Sequence, residues 1–283
     1  DTVLRLEAIT KKFPGVTALD GVSLEFRRGE VHGLVGENGA GKSTLMKILS
    51  GVYRADSGRI VLAGSEVAFR DPHEAQAAGV SIIFQEFSLI RGFTVAENVY
   101  LNREPVRLLG HLDLRAARER TRALLDEIGI ELDVDRKAEE LSVVQQQVVE
   151  IVKALSVTAS VLIMDEPSAA LTDKELRKLF EIIRTLTAKG VTVIYISHML
   201  EEVFEIADRV SVLKDGRVMG TRPTRELSRE DLVRMMVGRT IEDYFPPLAD
   251  GRGPVLLEVR GLSRRGSLDG IGLELHAGEI LGV

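Results

Sequence analysis

Residues 36–44 have the types and spacing needed to bind a phosphate group. They satisfy the pattern G-x-x-x-x-G-K-S/T, whose glycines let successive backbone N–H groups turn inward toward an anion. Lys42 supplies a positive charge for the β- and γ-phosphates, and the Ser43 hydroxyl is a candidate Mg²⁺ ligand. The residues expected to contact a nucleotide in this phosphate loop are Gly36, Glu37, Asn38, Gly39, Ala40, Gly41, Lys42, Ser43 and Thr44.

The sequence on either side of the loop predicts the elements that hold it. Residues 30–35 predict a buried strand that leads in, and residues 43–49 predict a helix that leads out. The N-terminus of that helix adds a partial positive charge to the anion site. A chance glycine-rich turn is the alternative, and the order of strand, loop and helix favours the phosphate site.

Two adjacent carboxylates, Asp165 and Glu166, follow a second apolar run at residues 161–164. The run predicts a parallel strand whose C-terminal end lies where open α/β sheets bind their ligands. We expect Asp165 to hold Mg²⁺ through water and Glu166 to act as the general base on an attacking water. A solvated pair of acids is the alternative, and the phosphate loop favours the catalytic interpretation.

Three further side chains could complete the site. His198 follows a predicted strand at residues 191–196, and Gln85 follows another at residues 81–84. From these strand ends His198 could face a γ-phosphate, and the Gln85 amide oxygen could reach both Mg²⁺ and the attacking water. Phe13, on the loop after the first strand, could stack on an adenine. Taken singly, a structural histidine, a surface glutamine and a core phenylalanine are the alternatives.

Two helices are predicted to begin at capping boxes. Ser142 with Gln145 forms the first, and Thr172 with Glu175 forms the second. A serine hydroxyl at a helix N-terminus is a further candidate anion contact, with plain helix capping as the alternative.

Composition limits the class of protein and of partner. Of the 283 residues 45% are apolar and 28% charged, with no cysteine and a net charge of −6. Without cysteine there is no disulfide, no thiolate catalysis and no cysteine-based metal site. The acidic balance argues against a nucleic-acid partner, and no apolar run approaches the ~18 residues that predict a membrane-spanning helix.

Together these motifs resemble the nucleotide-binding domain of ATP-binding cassette (ABC) transporters, from about residue 3 to residue 240. The resemblance implies ATP and Mg²⁺ as cofactors, with Ser43, Gln85 and Asp165 near the metal. It gives the other residues these roles: adenine stacking to Phe13, the Q-loop to Gln85, the Walker B pair to Asp165 and Glu166, and the switch histidine to His198. The implied signature, which acts on the ATP of a partner cassette, comprises Ser142, Val143, Val144 and Gln145.

The resemblance also implies the fold. It is an α/β fold with a RecA-like P-loop NTPase core, a mainly parallel sheet, an antiparallel β flap and an inserted helical subdomain. Helical segments interrupt the α/β pattern over residues 87–158, which we take as the subdomain. The strands predicted to form the flap lie at residues 3–9, 22–27, 59–63 and 66–69.

The detailed sequence of four segments resembles the ATP-binding subunits of bacterial monosaccharide importers of the ribose, xylose and galactose type. These segments are residues 13–20, 36–38, 147–155 and 195–198. This implies a sugar-transporting ATPase, peripheral on the cytoplasmic face of the inner membrane. The implied partners are integral-membrane permease subunits, a second cassette or homodimer partner, and indirectly a periplasmic sugar-binding protein. We expect the permease contact within residues 86–100.

Two positions depart from the family pattern. The signature usually reads Leu-Ser-Gly-Gly-Gln, and here Val143 and Val144 replace both glycines. Because glycine permits closer backbone approach, the phosphate contact from this signature is open to question. Thr172 stands where an aspartate usually ends the loop after the Walker B pair, so that an aspartate contact between cassettes is lost.

The sequence repeats itself near residue 283. Residues 19–34 align with residues 268–283 at a constant offset of 249, and eight of the 16 positions are identical. By the same offset a second phosphate loop is expected to begin at residue 285. We therefore interpret residues 1–242 as a first cassette, 243–254 as a Pro- and Gly-rich linker, and 255–283 as the opening strands of a second cassette.

Two alternatives to the importer subunit remain open at this point. One is a soluble tandem-cassette ATPase that acts on ribosomes or nucleic acid. The other is a cassette that binds nucleotide and serves as a structural gate with little activity. For the importer, we expect the isolated chain to hydrolyse ATP slowly or not at all, since it carries one phosphate loop and one signature but neither partner element.

Overall fold

The computed structural model of the protein describes residues 1–84, 87–107, 111–169, 171–237 and 253–282. The chain divides into two compact units, Asp1–Gly238 and Arg239–Val283. Gln85 and residues 243–252 of the predicted linker lie outside the described residues. Within the described ranges, no helix has the length and apolar character that crossing a bilayer requires.

The elements follow the chain in a mixed α/β order. The strands are β1 (Thr2–Phe13), β2 (Val16–Arg27), β3 (Val31–Val35), β4 (Ser57–Leu62), β5 (Ser65–Val67), β6 (Val80–Ile83), β7 (Val161–Asp165), β8 (Thr192–Ile196), β9 (Arg209–Lys214), β10 (Arg217–Pro223), β11 (Val255–Arg264) and β12 (Leu268–His276). The helices are α1 (Lys42–Leu49), α2 (Pro72–Ala77), α3 (Val95–Val99), α4 (Leu114–Glu127), α5 (Val143–Leu155), α6 (Asp173–Ala188), α7 (Leu200–Ile206) and α8 (Arg229–Val237).

A six-stranded sheet in the order β10-β9-β3-β8-β7-β6 forms the centre of the first unit. All neighbouring pairs are parallel except β10 with β9. Alternate residues of β7 belong to different hydrophobic cores. Leu162 packs in a core with residues of α5 and α6, whereas Ile163 packs in a core with residues of α1 and of the sheet that contains β1 and β2. Both faces are therefore covered, which explains why these strands are continuous apolar runs.

The predicted flap is confirmed as an antiparallel sheet in the order β2-β1-β4-β5. Strand β1 is longer than predicted and ends at Phe13, so that Phe13 lies on a strand rather than on the following loop. The reason is the turn at Pro14 and Gly15, where Gly15 has φ +82° and the chain folds back to pair Phe13 with Val16. Proline and glycine at the centre of a tight turn let two strands continue as one hairpin.

Helices α3, α4 and α5 all lie within residues 87–158, the range in which the sequence predicted helical segments. Asn98 of α3 is fully buried and holds the preceding loop: its Oδ1 accepts from the Ile90 N–H at 2.7 Å. Its Nδ2 donates to the carbonyls of Ile90, Phe93 and Thr94 at 3.0–3.2 Å. One buried side chain thus gives the Ile90 N–H an acceptor and ties the loop to α3 through three carbonyls.

Both predicted capping boxes are present. The Ser142 N–H donates to Gln145 Oε1 at 3.0 Å and the Gln145 N–H donates to Ser142 Oγ at 3.3 Å, which begins α5. The Thr172 N–H donates to Glu175 Oε2 at 3.0 Å at the start of α6. Thr172 therefore has a local structural role that accounts for its presence there.

The second unit contains the hairpin of β11 and β12. Its register repeats that of β1 and β2: Leu262 pairs with Ile271 as Ile9 pairs with Val22. In the first unit Ile9 is completely buried, whereas Leu262 is 50% exposed. The aligned sequences therefore form the same two-stranded pairing in both units.

Candidate functional site

Parallel pairing brings three predicted site segments to one edge of the central sheet. Strand β8 pairs with β3 on one side and with β7 on the other, and Ile196 is the partner of both Leu34 and Asp165. The chain that follows each strand therefore emerges at the same carboxyl edge. These are the phosphate loop after β3, Glu166 after β7, and His198 after β8.

The phosphate loop connects β3 to α1 and curls around the Lys42 side chain. Lys42 Nζ donates to the carbonyls of Gly36 at 2.6 Å and Glu37 at 3.0 Å. Lys42 is also the first residue of α1, whose N-cap is Gly41 with φ +104°. The ammonium group and the helix N-terminus thus lie together, which is the arrangement that binds phosphate in such loops.

Two of the loop glycines are required by close packing. A Cβ atom at Gly41 would lie 2.5 Å from the Ala18 carbonyl oxygen, and one at Gly36 would lie 2.2 Å from the Leu213 carbonyl oxygen. Neither backbone can retreat easily, because Ala18 belongs to β2 and Leu213 to β9. Gly39 differs, since its Cβ position meets no atom within 4 Å.

The carboxylates stand opposite the lysine in a partly buried setting. Burial raises the pKa of Asp165 above its usual value, and repulsion from Glu166 adds to this while Lys42 opposes it. Burial likewise lowers the pKa of Lys42, against the attraction of Glu166 and Asp165. Desolvation disfavours the charged forms of Asp165 and Lys42. A cation bound beside the acids and an anion bound beside Lys42 would stabilise these charged forms.

His198 meets Glu166 directly. Its Nδ1 lies 3.1 Å from Glu166 Oε1, and the histidine side chain is 59% exposed. Glu166 has φ +48°, a backbone conformation that non-glycine residues seldom adopt, and its N–H donates to the Ile196 carbonyl at 2.9 Å. The sequence placed both residues at strand ends, and the structure brings them together as a pair.

Lys42, Asp165 and Glu166 line a cleft of about 720 Å³ in the first unit, whereas the predicted residues Gly36, Glu37 and His198 are not part of its wall. Its wall comprises Phe13, Val16, Thr17, Ala18, Asn38, Gly39, Ala40, Gly41, Lys42, Ser43, Thr44, Asp165, Glu166 and Asp215. Sequence reasoning identified the loop, the acids and Phe13 but missed two parts of the wall. Residues 16–18 lie at the start of β2, directly after the turn that follows Phe13. Asp215 lies in the Asp-Gly turn after β9, and the sequence marks this position only as a turn.

The predicted signature residues lie elsewhere. Ser142, Val143, Val144 and Gln145 form the N-terminal end of α5 and are not part of the cleft wall. Ser142 is exposed there, and the two valine side chains are half-buried. Gln85 lies outside the described residues, so its position relative to the cleft stays a prediction.

The cleft has few side chains that could bind a metal ion. Among the described residues no group of three or more His, Asp or Glu side chains could hold a metal. The cleft offers the Ser43 hydroxyl and the Asp165 carboxylate, which is a partial donor set. Mg²⁺ is commonly bound by one or two protein oxygens together with phosphates and water, and this donor set fits that pattern.

A sequence model of one family matches residues 19–169, and that family is the ABC transporter. The chain belongs to the ABC transporter family. A ribose import ATP-binding protein of Rubrobacter xylanophilus is 53% identical over 281 residues, which cover 99% of this chain and 56% of that protein. A ribose import ATP-binding protein of Streptomyces avermitilis is 47% identical over 283 residues, covering 100% and 54%. The chain thus spans about half the length of these relatives.

Solved structures of ABC cassettes have the same fold. A nucleotide-free ATP-binding cassette from an ABC transporter superposes with a TM-score of 0.72 at 28% identity, covering 87% of this chain and 100% of that one. A dimeric cassette bound to ADP and Pi superposes with a TM-score of 0.65 at 27% identity, covering 78% and 99%. The expected P-loop NTPase fold of an ABC cassette is therefore confirmed.

The two glycines that differ in packing give a matched test. Gly41→Ala should destabilise the chain strongly, because its Cβ would meet the Ala18 carbonyl at 2.5 Å. Gly39→Ala should cost only about 1–3 kcal/mol from its positive φ, since nothing surrounds its Cβ. Urea denaturation of both variants measures the difference in free energy of unfolding. Equal losses of unfolding free energy in the two variants would contradict the close approach of Gly41 to the Ala18 carbonyl.

Proposed function

We propose that the cleft binds ATP with Mg²⁺ and that the chain is the ATP-hydrolysing part of a monosaccharide importer. The observation that carries this proposal is the convergence of Lys42, Asp165 and Glu166 on one cleft. A cationic phosphate loop and an acidic pair at the same sheet edge are what phosphoryl transfer needs. Family membership and the phosphate loop support a nucleoside triphosphate over other anions.

In this proposal each part of the nucleotide has a place in the cleft wall. The loop N–H groups and Lys42 hold the β- and γ-phosphates, and Phe13 stacks on the adenine. Phe13 is half-buried and packs edge-to-face on Tyr53, with the two ring centroids 5.4 Å apart. This contact holds the Phe13 ring in place beside the cleft. Ser43 and Asp165 would hold Mg²⁺, which neutralises phosphate charge when bound.

Hydrolysis needs a base, and Glu166 is the residue we assign to it. Its carboxylate would accept a proton from the water that attacks the γ-phosphate. His198, with Nδ1 3.1 Å from that carboxylate, would hold it in position and face the γ-phosphate. We also keep Gln85 as a candidate ligand of Mg²⁺ and of the attacking water.

The importer is favoured over the two alternatives by the relatives named as ribose import ATP-binding proteins. We infer that permease subunits are the membrane partners and that the chain lies peripherally on the cytoplasmic side of the inner membrane. The periplasmic sugar-binding protein would act through the permease. Ile90 and Phe93, within the segment expected to meet the permease, and Phe84, just before it, are each about 40% exposed, which suits an apolar contact.

We further propose that a complete ATP site needs two cassettes. Ser142 at the N-terminus of α5 would face the ATP of a partner, and the partner's signature would face this cleft. The hairpin of β11 and β12, whose apolar side chains such as Leu257 and Leu262 are half exposed, would be the opening of a second cassette. We therefore expect little hydrolysis from single chains.

Dependence on pairing can be measured with the chain itself. ATP turnover per chain should be low and should rise with protein concentration, because assembly of the site is bimolecular if two chains complete it. Phosphate release measured across a wide concentration range tests this. Rapid turnover that is independent of concentration would contradict the shared site.

The role of Glu166 is tested in a complete two-cassette protein with its permease. Glu166→Gln should lower turnover by about 10²–10⁴-fold, because a glutamine cannot accept the proton. Affinity for ATP should stay within about twofold, since phosphate binding rests on the loop and Lys42. Asp173→Asn, an exposed acid at the start of α6, is the control. Normal turnover in Glu166→Gln would remove its assignment as the base.

A further inference from the structure

Glu202 is a buried carboxylate that the proposed chemistry leaves without a role. It lies in the first turn of α7 and is only 8% exposed. Three hydroxyl groups donate to its Oε2 atom: Ser168 Oγ at 2.7 Å, Tyr195 Oη at 2.8 Å and Ser197 Oγ at 2.9 Å. Hydrogen bonds to a charged acceptor are about twice as strong as neutral ones, so this cluster is a firm connection.

Two of these hydroxyls belong to the loops that carry the candidate catalytic pair. Ser168 lies two residues beyond Glu166, and Ser197 directly precedes His198. Ser197 Oγ also accepts a hydrogen bond from the Met199 N–H at 3.0 Å. The Ser197 hydroxyl thus bridges the two sides of the His198 turn, and Glu202 fixes the orientation of that hydroxyl.

The third hydroxyl connects the cluster to the central sheet. Tyr195 belongs to β8, is completely buried and packs edge-to-face on Phe180 of α6, with ring centroids 6.1 Å apart. Burial, reinforced by the Glu202 charge, raises the pKa of the Tyr195 hydroxyl well above its usual value. It therefore remains a protonated donor, and Glu202 is tied to the rigid part of the fold.

We propose that Glu202 is a positioning residue for ATP hydrolysis, which holds the loops of Glu166 and His198 in fixed relation through its hydroxyl donors. The two loops meet where His198 Nδ1 lies 3.1 Å from Glu166 Oε1. A displacement of about 1 Å in catalytic geometry can cost about 100-fold in rate. This inference rests on the proposed hydrolytic function of the cleft.

The neighbouring acid provides a matched control. Glu201 shares the first turn of α7, so it has a similar interaction with the helix dipole, but it is exposed and pairs with Arg229 at 2.7 Å. In the two-cassette protein with its permease, Glu202→Gln should lower kcat for ATP by about 10–100-fold with KM for ATP within about twofold. Glu201→Gln should leave both constants unchanged.

A second readout needs no ATPase activity. In the 283-residue chain labelled with ¹⁵N-histidine, the imidazole signals of His198, assigned with a His198→Asn variant, report its environment. Glu202→Gln should shift them and Glu201→Gln should not. If the wild-type transporter shows no ATP hydrolysis, the proposed function fails, while this measurement still decides whether Glu202 positions His198.

The inference is overturned if either kcat or the His198 signals in Glu202→Gln match those of Glu201→Gln. Should Glu202→Gln fail to fold, Ser197→Ala and Ser168→Ala replace it, since each removes one of the hydroxyl donors to Glu202. Ser197→Ala also removes the acceptor of the Met199 N–H. Ser197→Ala should shift the His198 signals more than Ser168→Ala does, and both should lower kcat with KM retained. Wild-type values of kcat in both serine variants would contradict the proposal.

Discussion

The parallel pairing of β3, β8 and β7 is the constraint on which the rest of the first unit depends. Ile196 is the common partner of Leu34 and Asp165, so the three strands end at one level. The phosphate loop, the acids and His198 then emerge side by side without any long-range loop. A shift of one strand by one residue would also exchange its two faces, and both faces are buried in separate cores. Register is therefore fixed by packing on both sides.

Among the residues that the structure describes, the charged groups of Lys42 and Asp165 form no ion pair that compensates their burial, and ligands of opposite charge could do so. The Lys42 ammonium group donates hydrogen bonds to the carbonyls of Gly36 and Glu37. Asp165 and Glu166 attract it electrostatically. Burial acts against the charged form of both Lys42 and Asp165. A phosphate with its metal ion would compensate both kinds of charge, which gives a physical reason for binding them together.

Much of this arrangement could be predicted from the sequence. The phosphate loop, the strands before Asp165 and His198, and the capping boxes at Ser142 and Thr172 have signals confined to a few consecutive residues. Continuous apolar runs predicted parallel strands because both sheet faces are covered. The repeat predicted strands within residues 255–283, where β11 and β12 pair in the register of β1 and β2.

What the sequence could not supply depends on contacts between distant segments. Asp215 reaches the cleft wall only because β9 lies beside β3. Asn98 and Glu202 are ordinary polar residues in the sequence, and their importance comes from burial among carbonyls or hydroxyls. Phe13 was predicted on a loop but lies on β1, because the turn at Pro14 and Gly15 lets β1 and β2 stay paired up to Phe13 and Val16.

The most direct test of the account is calorimetric titration of MgATP into the chain. Wild type should show saturable binding at one site per chain. Lys42→Ala should bind about 10–100-fold more weakly, since a hydrogen bond to a charged group contributes about 1.5–3 kcal/mol. Lys178→Ala, on the exposed face of α6, should bind as wild type does. Unchanged affinity in Lys42→Ala would contradict the assignment of the cleft as a nucleotide site.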